Sequence, residues 1–179
     1  MDIYRLSAIP GTEKIIEKEL LSKFPEAEIV SLSKGKADFQ IEGKVLNDFA
    51  TLMSPIRIQD RNHGDMDLFK REWRKAFVPA GINPSLAYVL CELADLHEDD
   101  VVLDPFCGGS TIPITAMLYF GVKKAFASDL SGKAIDISLE NWKASGIKKD
   151  KYVLFRSNVS TLKLQPKSIT KVITNMPFG

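Results

Sequence analysis

Cysteine and histidine are scarce in this chain of 179 residues, with two of each. Cys91 and Cys107 have neither CxxC spacing nor a neighbour in His63 or His97, so a zinc site and a disulfide scaffold are both disfavoured. Reduced thiols suit a cytosolic protein, and a cytoplasmic location is expected. An excess of one charge is also missing: 24 Lys and Arg against 23 Asp and Glu leave a formal charge of +1. No global positive field announces a polyanionic partner, so a nucleic-acid site must be a local patch. No apolar run approaches the ~20 residues that span a bilayer, and the N-terminus lacks the basic-then-apolar pattern of a signal peptide. What is present is ordinary globular composition, 45% hydrophobic and 26% charged, at a length that allows one normal domain or two small ones.

Residues 1–60 read as a small α+β module of βαββαβ order, ferredoxin-like in topology. Ile3, Tyr4 and Leu6 mark a strand, Pro10-Gly11 a turn, and Thr12 a helix cap. Ile15, Ile16, Glu19, Leu20 and Lys23 keep helical spacing until Phe24-Pro25. A hairpin follows over 28–41, then a second short amphipathic helix over Val45, Leu46, Phe49, Leu52 and Met53, and a last strand over 56–59. Residues 61–82 read as a connector with a short helix around Leu68 to Phe77. Arg57, Arg61, Lys70, Arg71, Arg74 and Lys75, interleaved with Phe69, Trp73 and Phe77, could form a basic, aromatic face for RNA. The plainer alternative is a packed linker helix, its charge cancelled by Asp60, Asp65, Asp67 and Glu72.

From Asn83 to the end, 83–179, helices alternate with short β-rich runs, the pattern of a parallel α/β sheet. Asn83-Pro84 is a helix start with Pro at N1. Strands are expected over 101–103, 124–128, 151–156 and 171–174. Each strand end carries a residue suited to a ligand. Val101-Val102-Leu103-Asp104-Pro105-Phe106-Cys107-Gly108-Gly109-Ser110-Thr111 runs from a strand through an acid into a glycine turn and a helix, where backbone approaches a ligand closely. It lacks the three glycines of GxGxxG and the GK[ST] of a P-loop, so pyrophosphate and triphosphate ligands lose ground and a dehydrogenase is disfavoured. Asp129, in Ser128-Asp129-Leu130, stands where an open α/β sheet offers a carboxylate to a ribose, although an Asp before Ser131 also suits a helix cap. Asn158, in Ser157-Asn158-Val159, could accept from an adenine amine or serve a turn. Asn175-Met176-Pro177-Phe178 joins an amide oxygen, a stiff turn and an aromatic ring, a combination suited to holding a planar amine-bearing base.

On these motifs the sequence resembles the class I S-adenosylmethionine-dependent methyltransferases, specifically the RNA guanine-N2 group associated with THUMP domains. Asp104 through Ile114 is similar to that group's cofactor loop, and Asn175-Met176-Pro177-Phe178-Gly179 to its Asn-Leu-Pro-Phe-Gly motif. The resemblance implies a Rossmann-like fold of which the first four strands, in order 3-2-1-4, are present. It implies that Asp104, Pro105, Cys107, Gly108, Gly109, Ser110 and Thr111 form the loop at the methionine end and that Asp129 and Leu130 meet the ribose. Asn158 and Val159 would flank adenine, and residues 79–86, with Asn83, would close the methionine side. Asn175 and Pro177 would orient the target amine while Phe178 stacks on the base. The 1–60 segment resembles the module that precedes the THUMP domain in these enzymes, but the THUMP fold itself is not expected here. Met176 stands where Pro or Leu is commoner, and Asn158 where many relatives have Asp.

The expected reaction is methyl transfer from S-adenosylmethionine to the exocyclic N2 of guanosine in RNA, with tRNA first. Rival readings are an rRNA, DNA-adenine or protein-glutamine methyltransferase, and a non-catalytic S-adenosylmethionine- or RNA-binding module. Because a complete fold of this group has seven strands, the chain is expected to be truncated after its Asn-Met-Pro-Phe-Gly motif. The fourth strand would then be an exposed edge, open to homodimerisation or other pairing.

Overall fold

The computed structural model describes residues 2–60, 62 and 64–177, and the chain divides into two compact units, Met1–Lys70 and Arg71–Gly179. The first contains β1 (Asp2–Ser7), α1 (Glu13–Lys23), β2 (Glu28–Ser33), β3 (Lys36–Ile41), a 3-10 helix (Leu46–Thr51), β4 (Arg57–Asp60) and β5 (Gly64–Asp67). Its antiparallel sheet runs β2-β3-β1-β4-β5. Alternation along β1 and β3 sends Tyr4, Leu6, Phe39 and Ile41 into the core, where Ile16 and Leu20 of α1 meet them. The Tyr4 and Phe39 rings each lie 5.0–5.5 Å, centroid to centroid, from Phe49 and from one another.

Three local expectations change. Thr12 precedes α1, but its hydroxyl donates to the Ile9 carbonyl at 2.7 Å. The turn is instead held by Glu13, whose Oε1 accepts from Gly11 N at 3.0 Å and Gly35 N at 2.6 Å. These two backbone bonds, Gly35's first, hold the Glu13 carboxyl below its usual range. The expected second α-helix is the shorter 3-10 turn, tightened by Asp48, which accepts from Val45 N at 2.8 Å. The connector expected over 61–82 contains strand β5, which Arg57 pins through Asp65 and Asp67 at 3.1 and 2.8 Å. No helix forms over 68–77, because Leu68 N and Phe69 N both donate to the Ile56 carbonyl and Leu68 enters the core.

The second unit contains α2 (Pro84–Leu93), β6 (Val101–Asp104), α3 (Thr111–Tyr119), β7 (Lys124–Asp129), α4 (Gly132–Ala144), β8 (Tyr152–Arg156) and β9 (Lys171–Val172). It is α/β, with a parallel sheet in the order β8-β7-β6-β9. One apolar cluster joins Ile114, Ala125, Ala127, Trp142 and Tyr152, with the Trp142 and Tyr152 rings stacked at 4.0 Å and 7°. Another joins α2, α3, Val102 and Ile173. Asn83 caps α2 as its sequence implies, accepting from Ser85 N at 2.8 Å. β9 is shorter than the expected 171–174: Ile173 N still donates to Leu103 O at 3.0 Å, after which Thr174 turns its hydroxyl to Asp104. β9 is the sheet's last strand, and Val172 on it is exposed. Among the described residues, no helix is long and apolar enough to cross a membrane.

Candidate functional site: a cleft at the strand ends

Parallel strands deliver their carboxyl ends to one side of a sheet, and a ligand crevice forms there. In the second unit that side holds a cleft of about 780 Å³, within the usual size of small-molecule sites. β6 brings Asp104, β7 brings Asp129, and the segment after β9 brings Asn175 and Pro177. Cys107, Gly108, Gly109 and Thr111 form the loop between, Leu130 lies beside Asp129, and residues 78–82 supply a further wall.

The loop is tightly bent. Gly108 has φ +52° and Ser110 φ +60°, a region that a β-carbon disfavours. A Cβ on Gly108 would also stand 3.2 Å from Val78 Cγ2. Asp129 clamps this bend: its Oδ2 accepts from Gly108 N at 3.0 Å and its Oδ1 from Ser131 N at 2.9 Å. Asp104 is almost wholly buried, and its Oδ1 accepts from Phe106 N at 3.1 Å and from the Thr174 hydroxyl at 2.6 Å. Burial pushes its carboxyl up to about 7, against the pull of these two hydrogen bonds. The Thr174 contact ties the acid of the first strand to the residue before Asn175. Asn175 itself makes no side-chain hydrogen bond among the described residues, which leaves its amide oxygen for a ligand.

Cys107 faces the cleft, but burial first and Asp104 second push its thiol up to about 12. A group held protonated at neutral pH is a poor covalent nucleophile. Among the described residues, no Lys or Arg lines the cleft and no cluster of potential metal ligands occurs. The acidic pair Asp129 and Asp104, without a facing cation among the described lining residues, suits a cationic, hydroxyl-bearing ligand better than a pyrophosphate.

Several expected site residues do other work. Asn83 is engaged as a helix cap, while Pro105 and Ser110 are buried outside the cleft lining. The Ser110 hydroxyl bonds to that of Ser138. Asn158 and Val159, expected at adenine, do not line the cleft. Asn158 Oδ1 instead accepts from Ser160 N at 3.0 Å and Ser160 Oγ at 2.9 Å, capping a 3-10 turn. Phe178 lies outside the described residues.

The basic, aromatic face also breaks up. Arg57 and Lys70 are paired with Asp65 and Asp67, Trp73 is buried, and Arg61 lies outside the described residues. Arg74 stacks on the exposed Phe77 ring at 4.9 Å.

One residue the motifs did not flag stands out. Asn141 of α4 is fully buried and bonds to the backbone of both Ala76 and Gly109. The signal was an asparagine beside Trp142, on the helix face that carries Ala134 and Ser138, a position that interior helix sites rarely give to a polar amide.

Residues 71–179 match the family described as UPF0020, RMKL-like, methyltransferase domain. The chain is similar to the U6 snRNA (guanine-N(2))-methyltransferase THUMPD2 of Bos taurus, 31% identical over 100 residues that make up 56% of this chain and 20% of that protein. It is 28% identical over 139 residues to the tRNA (guanine(10)-N2)-dimethyltransferase of Methanothermobacter thermautotrophicus, covering 72% of this chain and 40% of that protein. The chain therefore spans well under two thirds of these relatives. In fold it resembles TrmN from Thermus thermophilus, with TM-score 0.81 and 19% identity over 100% of this chain and 80% of that one.

Proposed function

The chain belongs to the UPF0020 RMKL-like methyltransferase-domain family, and on that premise we propose that it carries the cofactor half-site of an S-adenosylmethionine-dependent RNA guanine-N2 methyltransferase, with tRNA as the first substrate to test. The observation that carries this reading is the convergence of Asp104, Asp129 and Asn175 on one cleft with no cation among the described lining residues. The sheet order β8-β7-β6-β9 supports reading 83–179 as the first four strands of a Rossmann-like methyltransferase fold. The order β2-β3-β1-β4 supports a ferredoxin-like reading of 1–60. The guanine-N2 specificity named for two relatives favours RNA over DNA adenine or protein glutamine.

S-adenosylmethionine supplies an electrophilic methyl on a sulfonium when bound. Asp129 would accept the ribose hydroxyls, trading its contact with Gly108 N for them. Asp104, with Cys107, Gly108, Gly109 and Thr111, would hold the methionine end, its carboxylate facing the ammonium. Asn175 would accept a hydrogen bond from the target amine through its free amide oxygen. That amine is a weak nucleophile because its lone pair is delocalised, so alignment and a strengthening hydrogen bond are the main contributions. Pro177 stiffens the turn that presents this amide. A thiol held protonated at Cys107 takes no covalent part.

Calorimetric titration with S-adenosylmethionine tests the half-site, and radiolabelled methyl transfer to unmodified tRNA, U6 snRNA, DNA and protein pools tests the substrate. Saturable S-adenosylmethionine binding without NAD binding is expected, with label entering RNA. NAD binding in its place would sink the cofactor reading, and label entering DNA or protein alone would sink the RNA reading.

A further inference from the structure

Asn141 uses its whole hydrogen-bonding capacity on the backbone of two segments far apart in sequence. Its Oδ1 accepts from Lys75 N at 2.9 Å and Ala76 N at 3.0 Å, and its Nδ2 donates to Ala76 O at 3.0 Å and Gly109 O at 2.9 Å. It is fully buried, and so is its bond to the Gly109 carbonyl, so removing the amide would leave that carbonyl without a partner. Among the described residues, no other side-chain hydrogen bond joins residues 75–82 to residues 104–111.

These segments are neighbouring parts of the cleft boundary, in contact with one another. Ala76 lies two residues before Val78, whose Cγ2 is the atom that a Cβ on Gly108 would meet. A Cβ on Gly109 would stand 3.2 Å from Asn141 Nδ2, so the amide and the loop are already in close contact. The carbonyl it holds belongs to the residue next to Gly108, the partner of Asp129. We propose that Asn141 is a positioning residue of the cofactor cleft, a buried amide that fixes the 75–82 wall to the glycine loop and so holds both in the shape that lines the site. The inference rests on the reading of this cleft as an S-adenosylmethionine site. Asn141 touches no ligand on this account; it acts through Ala76 and Gly109.

A merely structural asparagine would lower stability and leave ligand affinity alone. The whole chain is compared with Asn141→Ala, Asn141→Asp and, as a stability control on the same helix, Trp142→Phe, which trims the ring stacked on Tyr152. S-adenosylhomocysteine affinity is read by calorimetry, melting temperature by calorimetric scanning, and amide exchange at Lys75 and Ala76 on ligand-free protein. Asn141→Ala is expected to weaken S-adenosylhomocysteine at least tenfold and to speed exchange at Lys75 and Ala76 at least tenfold. Asn141→Asp, nearly isosteric, keeps the two acceptor contacts but loses both donations. It is expected to weaken the ligand tenfold with far less change in exchange, and it carries the test if the alanine variant does not fold. Trp142→Phe should lower the melting temperature with affinity within twofold of wild type.

Affinity within twofold of wild type in the folded Asn141 variants would overturn the proposal. So would an equal loss in Trp142→Phe. If wild type does not bind S-adenosylhomocysteine, the cofactor reading falls and takes the affinity claim with it, whereas binding unaffected by Asn141 removes this inference alone.

Discussion

In residues 1–70 the polar side chains bond to one another or to nearby backbone, whereas in residues 71–179 those at the strand ends face a cleft. Glu19 is the clearest case in the first unit: buried, it accepts from Met53 N, Ser54 N, Ser54 Oγ and Lys23 Nζ. Arg5 forks onto Asp38 at 2.7 and 2.9 Å. In the second unit Asp104 and Asp129 hold loop backbone on the cleft side, and the Asn175 side chain bonds to none of the described residues. Charge follows the same division. Residues 1–70 carry 10 Lys and Arg against 12 Asp and Glu, and residues 71–179 carry 14 against 11, so the units stand at −2 and +3 within a total of +1. A near-neutral total thus conceals opposite signs, and it is the family-matched unit that has the sign an RNA backbone attracts.

The sharpest break between the units would come from Asn175→Ala. It is expected to lower single-turnover methylation by about 10²–10³, the usual cost of one transition-state hydrogen-bonding group, with little change in melting temperature. A rate within threefold of wild type would remove this amide from the chemistry. Its counterpart is Glu19→Ala, which strands two backbone N–H groups and should cost about 2–4 kcal/mol in denaturant unfolding. S-adenosylhomocysteine affinity should not change, and a parallel loss of affinity would show that the first unit is more than self-contained.

Asp104→Asn should act in the opposite direction. The Asp104 carboxyl ionises near 7 in the fold against an ordinary 3.8, so between those values the folded state keeps a proton that the unfolded chain releases. Its contribution is therefore full below about pH 3.8 and declines as pH rises through 7. The asparagine variant should lose that decline and so melt higher than wild type at pH 8, with the gap closing as pH falls toward 4. An unchanged melting profile across pH 5–8 would contradict the burial argument. Smallest is Arg5→Ala: its partly exposed pair with Asp38 should be worth about 0.2–1 kcal/mol, with no effect on ligand binding.

The sequence made the strand-end residues legible because local rules govern them. Asn83-Pro84 announced a helix start, and the runs into Asp104 and Asp129 announced strands by their buried β-branched and small apolar residues. β5 was not legible, since Gly64-Asp65-Met66-Asp67 has no strand composition and is held by cross-strand charge to Arg57. Asn158 had two local readings, and in the structure its amide oxygen caps the turn. Asn141 had no motif at all. Its partners lie 32 and 65 positions away in the chain, so only the folded arrangement of α4 against two loops reveals them.

The stack of Trp142 on Tyr152 has a practical consequence for the separation of the two units. The chain has two tryptophans, Trp73 and Trp142, both buried and both in residues 71–179. Indole emission is therefore blind to the first unit, while far-ultraviolet circular dichroism sees both. Melting followed by the two signals together would show whether the units unfold as one cooperative body or in turn, without a label or a substitution.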